Sequence, residues 1–590
     1  MILYIIGDNM IIKEIDENLV YVSCDDKSKI NNLMNNYLVF IDSKTIIGEI
    51  ISIKQNELIV NLIGEIINNN FIYGISAKPE INAKVSLVNP NYIPNIISFP
   101  NNYNSLYLGK SPIFNTNIYM NLNNFFNSHF TIMGGTGSGK SCALTRIIQN
   151  LFQNTEYIPY KSHFFIFDTY GEYQNAFSNL EKNNSYISYK CYTTNLKESG
   201  EILKIPPYLL GIDDLALLLN AETSSQLQVI RKALELVNLF KNNDSDLNKI
   251  KNNIIARAVL DILLSGRPAF QIRDQIISIL SFYKTDELSL DTEIFQPGYT
   301  RALKHCLLID ADGKLREMNL LTDFFTKFLI DSNEEKLNLK VTRYTLQDIE
   351  DAIDFALISE GILKSEKIYD KNNILKVRIH NLVESEYSNY FDCDEFLTKE
   401  EYLNSLISKN NKTVQLTSFN INYVDDRFAK NIVKIISKMV FDMNKTLDAR
   451  GSIPFHIILE EAHRYVLNDT DIDLLGYNIF DRIAKEGRKY GVILGLITQR
   501  PAELSETVLS QCNNFLVFKM THPIDSDYVK KIIPYMTNEI NQRLKILQPG
   551  NCYLFGSAFR LPLIVKFDLP NPTPNSNNVD IPNTWFIKKS

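Results

Sequence analysis

The sequence predicts an α/β protein in three parts: a small N-terminal β-barrel, a parallel-sheet core that carries a phosphate-binding loop, and a helical insertion within that core. Three observations point to this. Residues 1–100 read as short, closely spaced strands rich in β-branched residues. From Phe130 onward, short apolar strands alternate with helical stretches, the pattern of a parallel sheet with crossover helices. Between residues 205 and 385 the strand signal gives way to helical periodicity. The expected division is therefore 1–100 for the barrel, 101–204 and 386–560 for the core, 205–385 for the insertion, and 561–590 for a last strand and tail.

Taken in order, Val20–Ser23, Tyr37–Ile41, Ile46–Ile53 and Leu58–Leu62 are the N-terminal strands, separated by Asn, Asp, Lys and Gly. Such spacing fits a small barrel or a sandwich. Pro90, Pro94 and Pro100 mark a linker. The core strands are expected at Phe130–Met133, Phe164–Phe167, Val414–Leu416, Phe455–Leu459, Val492–Ile497 and Phe515–Phe518. Phe428, Ile432, Ile435, Ile436, Met439 and Val440 line one face of a helix over Arg427–Met443. In the insertion, Leu227, Ile230, Leu234 and Val237 form a helical face, with further helices around 254–283 and 346–363; so long a loop needs structure of its own. Strands at Cys552–Phe555 and Leu563–Phe567 follow, and an extended polar tail begins at Pro570. Trp585 and Phe586 in that tail read as a terminal anchor or a partner contact.

Composition narrows the class. The chain has 590 residues, 45% hydrophobic and 22% charged, as in soluble globular proteins. Lys+Arg number 61 against 68 Asp+Glu, a net charge of −7. That excludes a uniformly basic coat for nucleic acid but permits a local basic surface. Apolar runs such as Phe164–Phe167 are far shorter than the ~20 residues that span a bilayer. The Met1–Ile6 run lacks a basic flank, so no secretory signal is expected. The seven cysteines are scattered with no C-x-x-C pair, which argues against disulfides or zinc and makes the cytoplasm the expected compartment. Frequent Asn and Ile read as a compositional bias of the source.

The strongest motif is Gly134-Gly135-Thr136-Gly137-Ser138-Gly139-Lys140-Ser141, which fits G-x-x-x-x-G-K-S at every fixed position, after a strand and before a helix. Glycines let backbone N–H groups turn toward phosphates, and the helix N-terminus adds partial positive charge. Gly135, Thr136, Gly137, Ser138, Gly139, Lys140, Ser141 and the following Cys142 are therefore the expected nucleotide-binding residues. Lys140 would neutralise the β- and γ-phosphates and Ser141 would ligate Mg²⁺. ATP and Mg²⁺ are the expected cofactors, and the core is expected to be a P-loop, RecA-like ATPase.

Pro454–His463 is an apolar strand that ends in Glu460 and Glu461. Ligands bind beyond the carboxyl ends of such strands. A strand adjacent to the phosphate loop would present Glu460 to Mg²⁺ through water and Glu461 to the attacking water; otherwise the pair only caps the next turn. Gln499, after the strand ending at Ile497-Thr498, is either a γ-phosphate contact or a turn residue. Arg488, in Glu486-Gly487-Arg488-Lys489-Tyr490-Gly491, is either an arginine finger for a neighbouring subunit or a solvated basic helix end. Asp168 and Glu172 either support the metal site or a DNA-facing loop, or form a structural strand-to-helix turn. His129, His463 and His522 stand singly and are not read as metal ligands; His463 is placed to fix the Glu460–Glu461 turn.

Together these motifs resemble the HerA group of DNA translocases, within the HerA/FtsK class of P-loop ATPases. The matching stretches are Thr136–Ser141, Asp168–Tyr173, Glu460–Arg464, Glu486–Gly491, Thr498–Pro501 and Leu509–Asn513, followed by the Gly550–Phe555 strand. The resemblance implies a hexameric ring around double-stranded DNA with ATP at the subunit interfaces. It implies roles for Lys140 and Ser141 at the phosphates and Mg²⁺, a catalytic role for Glu461, a role across the interface for Arg488, and an assembly role for the N-terminal barrel, while the metal role of Glu460 and the catalytic role of Gln499 rest on the strand-end reading above. Ser128 stands where family members often carry an arginine before the histidine, which removes the basis for a second trans-acting arginine. It further implies a separate partner, either a NurA-like nuclease or another effector such as a Sir2-like enzyme in phage defence. No nuclease cluster is evident in this chain. Two other readings stand beside this motor: a nucleotide-dependent platform that organises and activates an effector enzyme, and a conjugation-type DNA pump, which would be expected to carry membrane helices.

Overall fold

The computed structural model describes residues 10–24, 33–54, 57–154, 156–198, 200–242, 245–330, 341–359, 366–467, 471–534, 536–576 and 580–586. Met1–Ile6, read above for a leader, and 360–363 of the expected 346–363 helix lie outside these residues.

The N-terminal strands are β1 (Met10–Asp16), β2 (Leu19–Cys24), β3 (Tyr37–Ile41), β4 (Thr45–Lys54), β5 (Glu57–Ile67), β6 (Asn70–Tyr73) and β7 (Lys84–Leu87). They pair antiparallel in the order β2-β1-β7-β3-β4-β5-β6, and β2 also pairs with β5. That extra pairing closes six strands into a barrel and decides against a sandwich. Alternation puts Val20, Val22, Leu38, Phe40, Ile50, Leu58 and Val60 inside. The proline-marked segment is not a linker. Pro90–Tyr92 forms a 3₁₀ turn and Ile93–Ile97 a short helix, α1, whose Ile93, Ile96 and Ile97 are buried in the core shared with the sheet below.

The core is one 12-stranded sheet. Its strands are β8 (Ser105–Lys110), β9 (Asn117–Asn121), β10 (His129–Met133), β11 (His163–Asp168), β12 (Tyr189–Thr193), β13 (Glu201–Ile202), β14 (Leu416–Asn420), β15 (Phe455–Leu459), β16 (Val492–Thr498), β17 (Cys512–Phe518), β18 (Asn551–Gly556) and β19 (Leu563–Phe567). The order is β13-β12-β14-β11-β15-β16-β10-β17-β18-β19-β8-β9. From β13 to β17 all neighbours run parallel, and from β17 to β9 they run antiparallel. The antiparallel flank joins strands from both ends of the chain, which is why β8 and β9, Asn- and Tyr-rich, carry no parallel-sheet signal. The strand expected at Val414–Leu416 begins instead at Leu416 and runs on through polar Thr417 and Ser418, both buried.

Strand β16 lies directly beside β10, with Gly495 opposite Phe130. A Cβ on Gly495 would lie 2.5 Å from the Phe130 ring. That ring cannot retreat, because it stacks on Phe125 at 4.5 Å. Gly495→Ala is expected to destabilise the chain by about 1–3 kcal/mol through overpacking, read as a lower midpoint in urea or on heating. An unchanged midpoint would show that the ring can move.

The insertion is mainly helical, with Ser224–Lys241, Ser245–Leu263, Ala269–Phe282, Leu346–Ser359 and Glu366–Glu384 as its long helices. It has no separate core: Val229, Ile230, Val259, Ile353 and Phe355 are buried in the same cluster as Phe419, Ile432, Ile436 and Leu494. The tail begins ordered. The Asn571 N–H donates to Gln149 at 2.9 Å, Gln149 donates to the Pro572 carbonyl at 2.9 Å, and the Asn575 N–H donates to the Glu172 carbonyl at 2.9 Å. Trp585 and Phe586 are not anchored within the described residues; each is 72% exposed.

Candidate nucleotide-binding site

Every residue of β10 is buried, so the strand delivers the phosphate loop from a rigid base. The loop ends in α2 (Lys140–Phe152), whose Ala143, Leu144, Ile147 and Ile148 pack against the sheet. Gly139 precedes α2 with φ 111°, a conformation that disfavours side chains. A Cβ on Gly134 would meet Phe518 at 2.6 Å. The loop is fastened from outside: Gly135 N–H donates to the Lys519 carbonyl at 2.8 Å and Gly550 N–H to the Ser138 carbonyl at 3.0 Å. Thr136 and Gly137 form its exposed tip, Ser138 is buried, and Cys142 sits half-buried in the first turn of α2.

Lys140 is buried and its ammonium donates to the Gly135 carbonyl at 2.9 Å. Burial pulls its pKa down, against the opposing charges of Glu461, Glu460 and Glu172. The Ser138 hydroxyl is buried without a partner among the described residues. A buried cation and an orphaned hydroxyl in a glycine-rich loop are suited to phosphate oxygens.

The carboxylates stand at the ends of two strands. Glu460 is buried; it accepts from the Tyr173 hydroxyl at 3.2 Å and the Thr169 N–H at 3.2 Å, and the Ser141 hydroxyl lies 3.5 Å away. Burial, then the charges of Asp168 and Glu172, push the Glu460 carboxyl well above the ordinary carboxylate range. Asp168 accepts from the N–H groups of Glu172 at 3.0 Å and Tyr173 at 2.9 Å, so it fixes the turn after β11 and also contacts Glu460. Glu172 faces Ser141 and Lys140, its carboxyl raised chiefly by burial. Ser141 and Glu460 could hold a Mg²⁺ through its waters; among the described residues no three His, Cys, Asp or Glu side chains form a metal cage by themselves.

Glu461 takes φ 47°, ψ 48°, left-handed for a non-glycine residue. Such strain is of order 1–3 kcal/mol and persists where the surroundings enforce it. Here it turns the carboxylate away from Glu460: the Gln499 amide donates to it and His463 lies 3.3 Å from its other oxygen. The Gln499 carbonyl in turn accepts from the Thr136 hydroxyl at 2.6 Å. Thr136, Gln499 and Glu461 are thus linked across three segments.

One expectation is overturned. The strand that ends in Glu460 and Glu461, β15, is not adjacent to the phosphate-loop strand; β16, which ends at Thr498 before Gln499, lies between them. Gln499 is the neighbour of the loop and bridges the gap to Glu461. The structure also adds Thr169, Tyr173 and Tyr465 around Glu460: the Thr169 hydroxyl donates to the Glu460 carbonyl at 3.0 Å and lies 2.8 Å from that of Tyr465. The Asp168–Tyr173 run signalled the turn, but nothing in it marks Tyr173 as a fully buried partner.

Arg488 lies elsewhere. It is exposed in the turn Gly487–Tyr490, at the amino end of β16, with no ion pair among the described residues. Seven residues at ~3.3 Å each put it roughly 20 Å from the Gln499 end, so it cannot reach Lys140 of its own chain. Its platform is held by His129, fully buried at the start of β10. Leu494 N–H donates to Nδ1 at 2.9 Å, so Nε2 carries the proton and donates to the Ala484 carbonyl at 3.0 Å. Burial pulls the His129 pKa down to about 4, which keeps the ring neutral.

The family described as "Helicase HerA, central domain" matches residues 106–440. The chain is 28% identical over 253 residues to "DNA double-strand break repair helicase HerA" of Sulfurisphaera tokodaii, covering 43% of this chain and 49% of that protein. It is 36% identical over 113 residues to the protein of the same description from Pyrococcus furiosus, covering 19% and 20%. The chain thus spans about half or less of the length of these relatives. Among solved structures, VirB4 of Thermoanaerobacter pseudethanolicus aligns over 80% of this chain and 98% of its own, at 11% identity and a TM-score of 0.45.

Proposed function

Because the chain belongs to the HerA helicase central-domain family, we propose that it is an ATP hydrolase that moves double-stranded DNA as a translocase or helicase. The observation that carries this is the linkage of Thr136, Gln499 and Glu461 beside Lys140. It supports the reading because the glycine-rich loop, the Gln499 amide and the Glu461 carboxylate lie within hydrogen-bond reach of one another. Lys140 and the loop amides bind the phosphates, Glu461 orients and deprotonates the attacking water, and Gln499 reports the γ-phosphate to it. Ser141 and Glu460 would hold Mg²⁺ through its waters, and the ion would supply positive charge against the phosphates. Cys142 and Gly135 to Gly139 complete the phosphate enclosure.

In this proposal ATP lies between subunits of a homohexamer, and Arg488 of one subunit completes the site of the next. The barrel, residues 1–100, serves assembly; 101–204 and 386–560 form the motor; 205–385 is an appended surface; 561–590 closes the core's flank. DNA phosphates are gripped without sequence preference. A separate nuclease or other effector receives the output, in repair or in phage defence, in the cytoplasm. Among the described residues no helix is long and apolar enough to cross a membrane, so nothing here favours a membrane-anchored pump.

Lys140→Ala is expected to abolish nucleotide binding and DNA-stimulated ATP hydrolysis together, measured by equilibrium binding of a fluorescent ATP analogue and by phosphate release. Undiminished nucleotide affinity would sink the assignment of the loop. A second reading, a nucleotide-dependent platform that activates an effector, is favoured by exposed Phe270, Phe282 and Phe295 on the insertion, at 54%, 69% and 78%. It requires effector activity to survive when hydrolysis, but not binding, is blocked.

A further inference from the structure

Away from the phosphate loop, a cavity of about 600 Å³ opens between the barrel and the core. Asn70 of the barrel, Asn95 and Asn101 around the end of α1, Asn115 and Asn117 at the β8–β9 hairpin, and Arg560 in the β18–β19 turn all line it. No carboxylate lines it. Among the described residues, Arg560 is the only charged one of the wall. One arm of its guanidinium donates to the Phe71 carbonyl at 3.1 Å, and its carbon lies 5.0 Å from the centre of the Phe99 ring. Its Nε is buried and has no acceptor among the described residues. Burial pulls its pKa down, and the one other influence is Tyr92 rather than an acid.

A half-buried guanidinium without a counter-ion is strongly disfavoured unless something else supplies the negative charge. The fork has spent one terminal donor on a backbone carbonyl and its Nε is shut off from solvent, so the other terminal nitrogen is the arm left to meet an oxyanion. Around it stand the exposed side-chain amides of Asn95, Asn101, Asn115 and Asn117. They offer neutral donors that would hold an anion without repelling it. The volume falls within the range of small-ligand sites, roughly 300–1,000 Å³.

We propose that this cavity binds a small oxyanionic ligand, a phosphate- or carboxylate-bearing molecule of nucleotide size or smaller, with Arg560 as its charged contact and the asparagine amides as its polar wall. Because Arg560 belongs to the core and Phe71 to the barrel, occupancy would tie the two together at a point remote from ATP.

The test uses the full chain with its phosphate loop saturated by Mg²⁺ and ADP, titrated calorimetrically with inorganic phosphate, pyrophosphate and citrate. Saturable binding of at least one probe is expected, and which probe binds separates phosphate from carboxylate as the ligand's anionic group. Arg560→Gln should weaken it at least tenfold, Arg560→Lys less so, and ADP affinity should stay unchanged in both. If Arg560→Gln loosens the barrel, Asn117→Leu, which leaves the guanidinium in place, should still weaken binding several-fold. Absence of saturable binding by all three probes at millimolar concentration overturns the proposal. So does binding that Arg560→Lys and Asn117→Leu leave unaltered.

Discussion

Glu461→Gln is expected to slow ATP hydrolysis by about 10²–10⁴-fold, the usual contribution of a positioned general base, while ATP still binds. The substitution keeps the shape of the side chain and removes only its charge and basicity. Lys140 and the loop amides, which would make the binding contacts, are untouched, so nucleotide affinity should change by no more than a few-fold. Binding should, if anything, tighten, because a negative charge facing Lys140 and the phosphates is lost. The left-handed backbone at this residue must be retained for the comparison to be clean, which is why Gln is preferred to Gly. Single-turnover hydrolysis measured beside equilibrium binding checks both halves. Wild-type turnover in the variant would remove Glu461 from the chemistry and shift attention to Glu172, the other carboxylate facing Lys140 and Ser141.

Arg488→Ala is expected to have a larger effect, about 10³–10⁵-fold on turnover, the range for an arginine supplied to a phosphoryl-transfer site. Arg488→Lys should recover little of it, because a point charge does not replace the planar fork. The position of Arg488 gives this prediction a second arm. The residue lies at the opposite end of β16 from Gln499, so the loss must act on another subunit. Mixing Arg488→Ala with Lys140→Ala, each inactive alone, should restore activity in mixed assemblies, since the intact loop of one then meets the intact arginine of the other. Full activity of Arg488→Ala, or no recovery on mixing, would show that Arg488 is a solvated helix end.

Much of this was legible in the chain. The phosphate loop declares itself because its chemistry requires glycine, lysine and serine at fixed spacing. β10, β11, β15 and β16 declare themselves because fully buried parallel strands must be continuously apolar. The features that escaped notice share a physical cause: they depend on partners distant in sequence. The interposition of β16 between the glutamate strand and the loop is a matter of strand order, which local pattern does not encode. Tyr173 looks like a surface tyrosine until the turn fixed by Asp168 swings it inward to Glu460. β9 is polar because it is the edge strand, and Pro90–Pro100 reads as a linker because its buried isoleucines are few. The tail's hydrogen bonds run to Gln149 and the Glu172 carbonyl, hundreds of residues earlier, so its polar composition gives no sign of them.

The buried imidazole at the head of β10 has a consequence for how such subunits would work in concert. It rivets the root of the strand that carries the glycine-rich turn to the ledge that bears Arg488. In the proposed ring, a shift at one end would be geared to the other through this imidazole, and news of occupancy would reach an adjoining copy without involving the long helical appendage.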